Sequence, residues 1–423
     1  MSVLNKIKRK GIINSILYVV CTFFYKIVRK IACILFSNLG INDKYIVFSS
    51  EPDFSDNAKK LYEYYISNEK YKDYKYIWLV KDKKRFKDTN NTIFLKSDAR
   101  YHKNQPLKAL YYLNISRMIY FTHSAHFELL KKKKNQIIIN LWHGCGYKNI
   151  QANKKKYIET HPFDYALVPG KVFIDTKSSF WGCKKEQILT IGYPRYDLLK
   201  ENNNTTIKYV NNLRKNNKLV LWMPTFRNTG NGYYPEEKIK RNFDMPLLDS
   251  KEELEILNNL CKKTNVILCI KRHPRQLKYS CENKTYSNII FIDNNTLVKE
   301  NIDLYSLLKY TDGLITDYSS VAIDYLLLNK PIAFTLDDYE EYSKSRGFVF
   351  KDPKKYMPGH HIYNFEDMQK YVEDIGNNKD LYKEDRQAIM NEVHNPCDNY
   401  CERIVNKIEE IMEEKNEKNT KKN

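Results

Sequence analysis

The sequence predicts an α/β fold made of two doubly wound, parallel-sheet domains, and three observations carry that expectation. The chain has 423 residues, past the length at which a single hydrophobic core stops growing and a chain divides. From Lys44 onward, short runs rich in β-branched and aromatic residues alternate with segments long enough for helices, the pattern of βα units. The runs form two series, parted by the polar stretch Glu201 to Thr206.

The first forty residues stand apart from that pattern. Lys6, Lys8, Arg9 and Lys10 precede an apolar stretch from Ile12 to Tyr25; Lys26, Arg29 and Lys30 then interrupt, and no acidic residue comes before Asp43. The uninterrupted apolar run is shorter than the ~20 residues that span a bilayer. Lys26 also stands where a signal-peptide cleavage site would need small residues. Residues 1–40 are therefore expected to form a basic amphipathic helix on an anionic membrane surface. The alternative is a helix docked on the protein's own surface.

Strands are then expected at Tyr45 to Phe48, Tyr76 to Val80, Met118 to Thr122, Gln136 to Asn140, Tyr165 to Val168 and Ile188 to Ile191, within a first domain over 41–205. A second domain over 206–412 takes strands at Lys218 to Trp222, Val266 to Ile270, Ile289 to Ile292, Gly313 to Thr316 and Pro331 to Phe334. Residues 413–423 are charged, Asn-rich and without apolar periodicity, the composition of a disordered tail. Ligands of open α/β sheets bind beyond the carboxyl ends of the strands, so functional residues should follow these runs.

Composition narrows the classes of function. With 42% hydrophobic and 13% aromatic residues and only 13 Gly and 13 Pro, the chain is globular rather than disordered or repetitive. The 71 Lys and Arg against 51 Asp and Glu, a formal charge of +20, favour an anionic partner: acidic lipid, a phosphate polymer or nucleic acid. Nine cysteines, odd in number and without a regular framework, fit a reducing compartment better than a disulfide scaffold. The sequence holds no Walker or GxGxxG loop.

Four strand ends carry candidate chemistry. Leu141-Trp142-His143-Gly144-Cys145-Gly146 follows the run Gln136 to Asn140. His143 is the candidate general base, because imidazole accepts a proton near neutral pH, and the glycines would let backbone and substrate approach closely. Met223-Pro224-Thr225-Phe226-Arg227 offers phosphate a hydroxyl and a guanidinium fork. Lys271-Arg272-His273-Pro274 suits a pyrophosphate that gains charge as its bond breaks. Asp317-Tyr318-Ser319-Ser320 leads into the helical stretch Val321 to Leu328, with two hydroxyls and open N–H groups at a helix start. Each has a plain reading as a structural histidine, a turn, a solvated basic loop or an N-cap. The recurrence of phosphate-suited groups at three strand ends of one domain is harder to explain that way.

Taken in order, His143-Gly144, Gly192-Tyr193-Pro194-Arg195 with Asp197, Pro224 to Arg227, Arg272-His273-Pro274, and Ile315 to Ser320 with Asp324 resemble the CDP-glycerol:poly(glycerophosphate) glycerophosphotransferases, the teichoic acid primases and polymerases. The likeness covers residues 40 to 405. It implies a GT-B fold, two Rossmann-like domains facing across a cleft, and membrane attachment on the cytoplasmic face. It further implies transfer of a polyol phosphate from CDP-glycerol or another CDP-polyol to a lipid-linked teichoic-acid-like or capsular polymer, without metal or cofactor. By this resemblance His143 and His273 are the catalytic pair. Thr225, Arg227, Lys271, Arg272, Asp317, Ser319, Ser320 and Asp324 are expected at the donor phosphates. Gly144, Cys145, Gly146, Pro194, Arg195 and Asp197 are expected to be acceptor-side or structural.

Three departures touch substrate choice. Cys145-Gly146 stands where the family usually has Thr-Pro, Pro358-Gly359-His360 replaces a usual Pro-Gly-Pro, and His394-Asn395-Pro396-Cys397 stands where Asp-Gly is common. His394, Cys397 and Cys401 have the spacing of metal ligands, but Pro396 breaks the helix and a fourth ligand is missing. The basic runs Lys131 to Lys134 and Lys154 to Lys156 read first as solvated surface, then as lipid or polymer contacts, and not as a nucleic-acid site. The competing enzymes are a CDP-ribitol ribitolphosphotransferase and a GT-B glycosyltransferase using a nucleotide sugar. Outside enzymology, the competitor is a non-catalytic basic scaffold.

Overall fold

The computed structural model describes residues 12–97, 106–123, 132–149, 163–226, 243 and 245–420. They belong to two compact units: Met1–His143, His161–Leu167 and Cys401–Asn423 form one, Gly144–Thr160 and Val168–Tyr400 the other.

The first unit holds α1 (Ile12–Ser37), β1 (Asn42–Ser49), α2 (Asp56–Ser67), β2 (Lys75–Val80), β3 (Thr92–Lys96), α3 (Leu107–Ile115), β4 (Ser116–Phe121), β5 (Ile137–Asn140) and β6 (Tyr165–Leu167). Its strands lie parallel in the order β3-β2-β1-β4-β5-β6. Ile46, Val47 and Phe48 are consecutive and all buried, as parallel strands covered on both faces require. Burial of each such side chain contributes about 1.5–3 kcal/mol. Phe48 stacks on Trp78 and on Tyr120, both at 5.2 Å between centroids. Tyr65 of α2 joins the same cluster through its hydroxyl, 2.8 Å from that of Tyr120.

The second unit carries α4 (Ile174–Trp181), the two-residue β7 (Ile188–Leu189) and α5 (Asn204–Arg214) before its sheet begins. β8 (Lys218–Met223), α6 (Lys251–Lys263), β9 (Val266–Lys271), β10 (Ile289–Ile292), α7 (Asn294–Lys299), α8 (Leu304–Lys309) and β11 (Gly313–Thr316) follow. α9 (Ser320–Tyr325), β12 (Ile332–Thr335), α10 (Tyr339–Ser345), β13 (His360–Ile362), α11 (Phe365–Gly376) and α12 (Lys383–Val393) complete it. The parallel sheet has the order β10-β9-β8-β11-β12-β13. Counted from its own first strand, the six strands of each unit named in these orders read 3-2-1-4-5-6. The direction reverses between β1 and β4 in one unit and between β8 and β11 in the other. Such reversals open crevices at the carboxyl ends of the strands.

Both expected strand series are present, and two edge strands are additional. β3 has only Ile93, Phe94 and Leu95 as an apolar run behind the polar stretch Asp88 to Asn91. β13 spells His-His-Ile. An edge strand has one free side and needs less apolar surface.

The unit boundaries differ from those expected at 205/206 and 412/413. The chain passes between units after His143, because Tyr147 and Asn149 pair their backbones with Val349 and Gly347 of the second unit. It leaves the second unit at Tyr400, where α13 (Tyr400–Thr420) begins. Residues 413–420, expected to be disordered, continue that helix. Its buried Ile404, Val405, Ile408 and Ile411 seat it, and Lys415 and Asn416 reach Asp164 and Arg117 in the first unit.

Of the two expectations for the N-terminal segment, the docked helix is met at one end of α1. Its far end docks on the protein: Phe36 meets Tyr111 edge-on at 5.4 Å, and Lys133 donates to the carbonyls of Phe36 and Leu39. Lys133 is thus a helix cap and not a lipid-facing cation, and Lys132 pairs with Asp164. The rest of α1 leaves Leu17, Val20, Phe23, Phe24, Ile27, Ile31 and Ile34 exposed, with Phe24 at 62% and Ile34 at 64%. No described helix is long and apolar enough to cross a membrane. Lys6, Lys8, Arg9, Lys10, Lys131 and Lys154 to Lys156 lie outside the described residues.

Candidate active site at the strand ends

In the first unit, the turn after β5 presents His143. The Asn140 side chain accepts from the Trp142 N–H (2.9 Å), and Asn57 donates to the carbonyls of Leu141 (3.3 Å) and Trp142 (2.7 Å). These bonds hold Trp142 at φ +54°, a left-handed conformation uncommon for so large a residue. The His143 ring stacks on His123 at 4.1 Å and lies 4.0 Å from the Trp142 ring. Its Nδ1 faces the Thr122 carbonyl at 3.2 Å. A carbonyl only accepts, so the neutral ring carries its proton on Nδ1 and its lone pair on Nε2. That is the form of a general base.

In the second unit, the sheet reversal between β8 and β11 places Thr225 beside Asp317. The buried Asp317 carboxylate accepts from the Thr225 N–H (2.8 Å) and from the Thr225 hydroxyl. The same hydroxyl accepts from Lys148 Nζ at 3.2 Å. His273, after β9, accepts the Arg275 N–H on Nδ1 at 3.1 Å, so its proton sits on Nε2. Burial, then the cations Lys148, Lys271 and Arg275, push its pKa down to about 3. His273 is therefore a neutral Nε2–H donor, the opposite tautomer to His143. Buried Lys271 donates to Asn294 at 2.7 Å, and desolvation lowers its pKa to about 8. An arriving anion would favour its charged form.

Other expected site residues serve the scaffold. Arg272 is tied to Asp293 and Glu282, each at 3.1 Å, and to the Gln276 carbonyl at 3.0 Å. Asp324, expected at the donor phosphates, is fully buried and accepts from Arg195 (2.7 Å), Tyr196 and Tyr305. A carboxylate so placed would repel a phosphate, so Asp324 positions α9. Likewise Asp317 orients Thr225. Pro194 starts the short 3-10 turn Pro194–Leu199, whose Asp197 accepts the Tyr400 N–H at 2.6 Å. Ser319 is the N-cap of α9, and its side chain makes no capping bond.

The glycines after His143 answer to the scaffold and not to a substrate. A Cβ on Gly146 would lie 2.8 Å from the Ser320 nitrogen, and one on Gly144 2.5 Å from the Ser320 hydroxyl. Cys145 is buried with its thiol 3.2 Å from the Tyr193 hydroxyl, so it meets no acceptor directly. Arg227 lies outside the described residues. Lys148 and Tyr305 escaped the sequence reading, because a lone Lys or Tyr in a chain rich in both carries no signal.

A cavity of about 460 Å³ lies against β13, bordered by Lys354, His361, Lys370 and the Pro358-Gly359-His360 departure. None of the residues grouped above lines it, so the strand-end cluster, with its converging cations, is the better candidate for the chemistry. His394 donates to the Ile323 carbonyl at 2.8 Å. Among the described residues no group of three His, Cys, Asp or Glu could hold a metal ion. All nine cysteines are free thiols.

A profile of the family described as CDP-Glycerol:Poly(glycerophosphate) glycerophosphotransferase matches residues 31–410. The chain belongs to this family. This glycerophosphotransferase is 30% identical over 382 residues to the teichoic acid poly(glycerol phosphate) polymerase of Bacillus spizizenii, covering 84% of this chain and 89% of that relative. It is 29% identical over 271 residues to the teichoic acid ribitol-phosphate primase of the same organism. That match covers 59% of this chain and 64% of the primase, so the chain spans under two thirds of that relative. A solved structure of the wall teichoic acid polymerase TagF, a histidine variant soaked with CDPG, superposes with a TM-score of 0.71 at 22% identity. It covers 95% of this chain and 98% of the solved one, and a likeness at that identity speaks for the fold.

Proposed function

We propose that this glycerophosphotransferase moves glycerol phosphate from CDP-glycerol to the terminal hydroxyl of a lipid-linked teichoic-acid-like or capsular polymer and releases CMP. The observation that carries the reading is the opposite tautomers of the two motif histidines. His143 Nε2 takes the acceptor's proton, the acceptor oxygen attacks the β-phosphorus, and the bond from that phosphorus to the CMP oxygen breaks. His273 donates a hydrogen bond from its Nε2–H to a phosphate oxygen, while Lys271 and the α9 start with Ser319 and Ser320 hold the pyrophosphate. The scaffold is GT-B, supported by two parallel sheets that share the strand order 3-2-1-4-5-6 over six strands.

A donor panel tests this directly. CMP release from CDP-glycerol should exceed that from CDP-ribitol by about 10-fold, with no nucleotide released from nucleotide sugars. A reversed ratio would make ribitol phosphate the transferred group, which the ribitol-phosphate relative keeps in view. Turnover of nucleotide sugars alone would overturn the reading.

Attachment to an anionic membrane on its cytoplasmic face is the second part of the proposal. The apolar arc of α1, flanked by Lys26 and Lys30, matches a helix lying in the headgroup boundary. Replacing Phe24 and Ile31 together with Glu should lower co-sedimentation with phosphatidylglycerol vesicles about 10-fold or more. CMP release onto a soluble acceptor analogue should stay unchanged. Equal sedimentation of variant and wild type would remove α1 as the attachment.

A further inference from the structure

We propose that Lys148 is a donor ligand of this enzyme: its ammonium takes up the charge that develops on the pyrophosphate as CMP leaves, and Thr225 and Asp317 aim it. The proposal rests on the phosphotransfer reading above and extends it by one residue and two supports.

The backbone at Lys148 is fixed. It forms a β-bridge with Phe348, flanked by the Val349 N–H donating to the Tyr147 carbonyl (2.8 Å) and the Asn149 N–H donating to the Gly347 carbonyl (3.0 Å). Tyr147 is buried and donates its hydroxyl to the Tyr356 carbonyl at 2.6 Å. A long flexible side chain thus starts from a rigid root.

The far end is aimed as well. Thr225 spends its hydroxyl proton on Asp317, so that oxygen can offer Lys148 Nζ only a lone pair. Asp317 also grips the Thr225 N–H, which locks the hydroxyl in place. The ammonium is held at the carboxyl end of β8, where the sheet order reverses and where anionic ligands of such sheets bind.

Charge completes the case. Lys148 acts on His273 together with Lys271 and Arg275, opposed by the Asp317 carboxylate, so three cations and one carboxylate face one neutral Nε2–H donor. In the reaction the acceptor's O–P bond forms, the P–O bond to CMP breaks with its electron pair moving onto the CMP phosphate, and the hydroxyl proton passes to His143. The net gain of negative charge at the leaving phosphate is what a cation beside His273 would offset. His143 and Lys148 lie five positions apart in the sequence, so one loop carries both the base and this cation.

The test compares wild type with Lys148→Met, Lys148→Arg and Thr225→Val. With Lys148→Met, kcat for CMP release should fall about 10²–10³-fold while KM for CDP-glycerol changes far less. Lys148→Arg should recover at least a tenth of the lost rate, and Thr225→Val should cost about 10-fold through misaiming. A signature independent of turnover is the His273 titration by NMR, whose midpoint should rise in Lys148→Met because a nearby positive charge is gone. Wild-type turnover in a folded Lys148→Met protein overturns the proposal and leaves phosphotransfer standing. If that protein does not fold, Lys148→Arg decides, and a folded Arg variant without recovered turnover counts against it. A wild-type enzyme that releases no CMP from CDP-glycerol overturns the underlying reading instead.

Discussion

Replacing His143 with alanine is expected to lower CMP release about 10³-fold, the middle of the range for a general acid–base group, while leaving the fold intact. The stability cost is small because the turn that carries the side chain is held by other residues. It is half-buried, donates to the Thr122 carbonyl and stacks on His123 and Trp142. A bond of that kind contributes about 0.5–1.5 kcal/mol, and the turn is held by Asn140 and Asn57 instead. The pH profile separates a base from a structural histidine. Only a neutral imidazole accepts a proton, so His143→Ala should lose the acid limb of kcat/KM that a base imposes. His273 cannot supply it, because its pKa lies near 3 and the ring stays neutral throughout the range assayed. Turnover within 10-fold of wild type, or an unchanged acid limb, would remove His143 from the chemistry; the first threshold lies below any usual acid–base contribution.

The sheets were legible for a reason tied to burial. Leu219, Val220, Leu221 and Trp222 are all buried, and a strand covered on both faces appears in sequence as an unbroken apolar run. The same reasoning is blind at the edges, which is why β3 and β13 went unseen. The candidate site was legible as residue types at strand ends but not as roles. Asp324 and Arg272 look like parts of a phosphate site by composition, yet the structure gives both their partners within the protein. Gly146 looks like an opening for substrate and is instead the contact point for Ser320. Roles depend on which partner a polar group meets across long sequence distance, and periodicity carries no such information. The helical end of the chain was missed for a related reason: Ile404 to Ile411 nucleate α13, and the polar residues after them propagate it with help from Asp164 and Arg117.

Asp324→Ala is expected to destabilise the second unit by about 3–5 kcal/mol, because it breaks a buried ion pair. Both partners are almost fully inside, Asp324 at 0% and Arg195 at 5% side-chain exposure, with 2.7 Å between charged atoms. Removing the carboxylate takes the ion-pair partner of a buried guanidinium and the acceptor of the Tyr196 and Tyr305 hydroxyls at once. The Tyr305 ring, 4.4 Å from the guanidinium, offsets only part of that, since a cation–π contact contributes about 0.5–2 kcal/mol. For a unit of this size the melting midpoint should drop by roughly 2–4 °C per kcal/mol. Arg195→Met alone should also destabilise, by leaving the carboxylate buried without its cation. The double variant Arg195→Met with Asp324→Leu should be more stable than the two single losses combined, since replacing both charges leaves neither uncompensated. Strict additivity in that cycle would mean that the pair is not coupled. Activity should follow stability here. α9 carries Ser319 and Ser320 and rests against Gly144 and Gly146, so loosening its buried anchor disturbs the donor-holding groups and the turn next to His143 together.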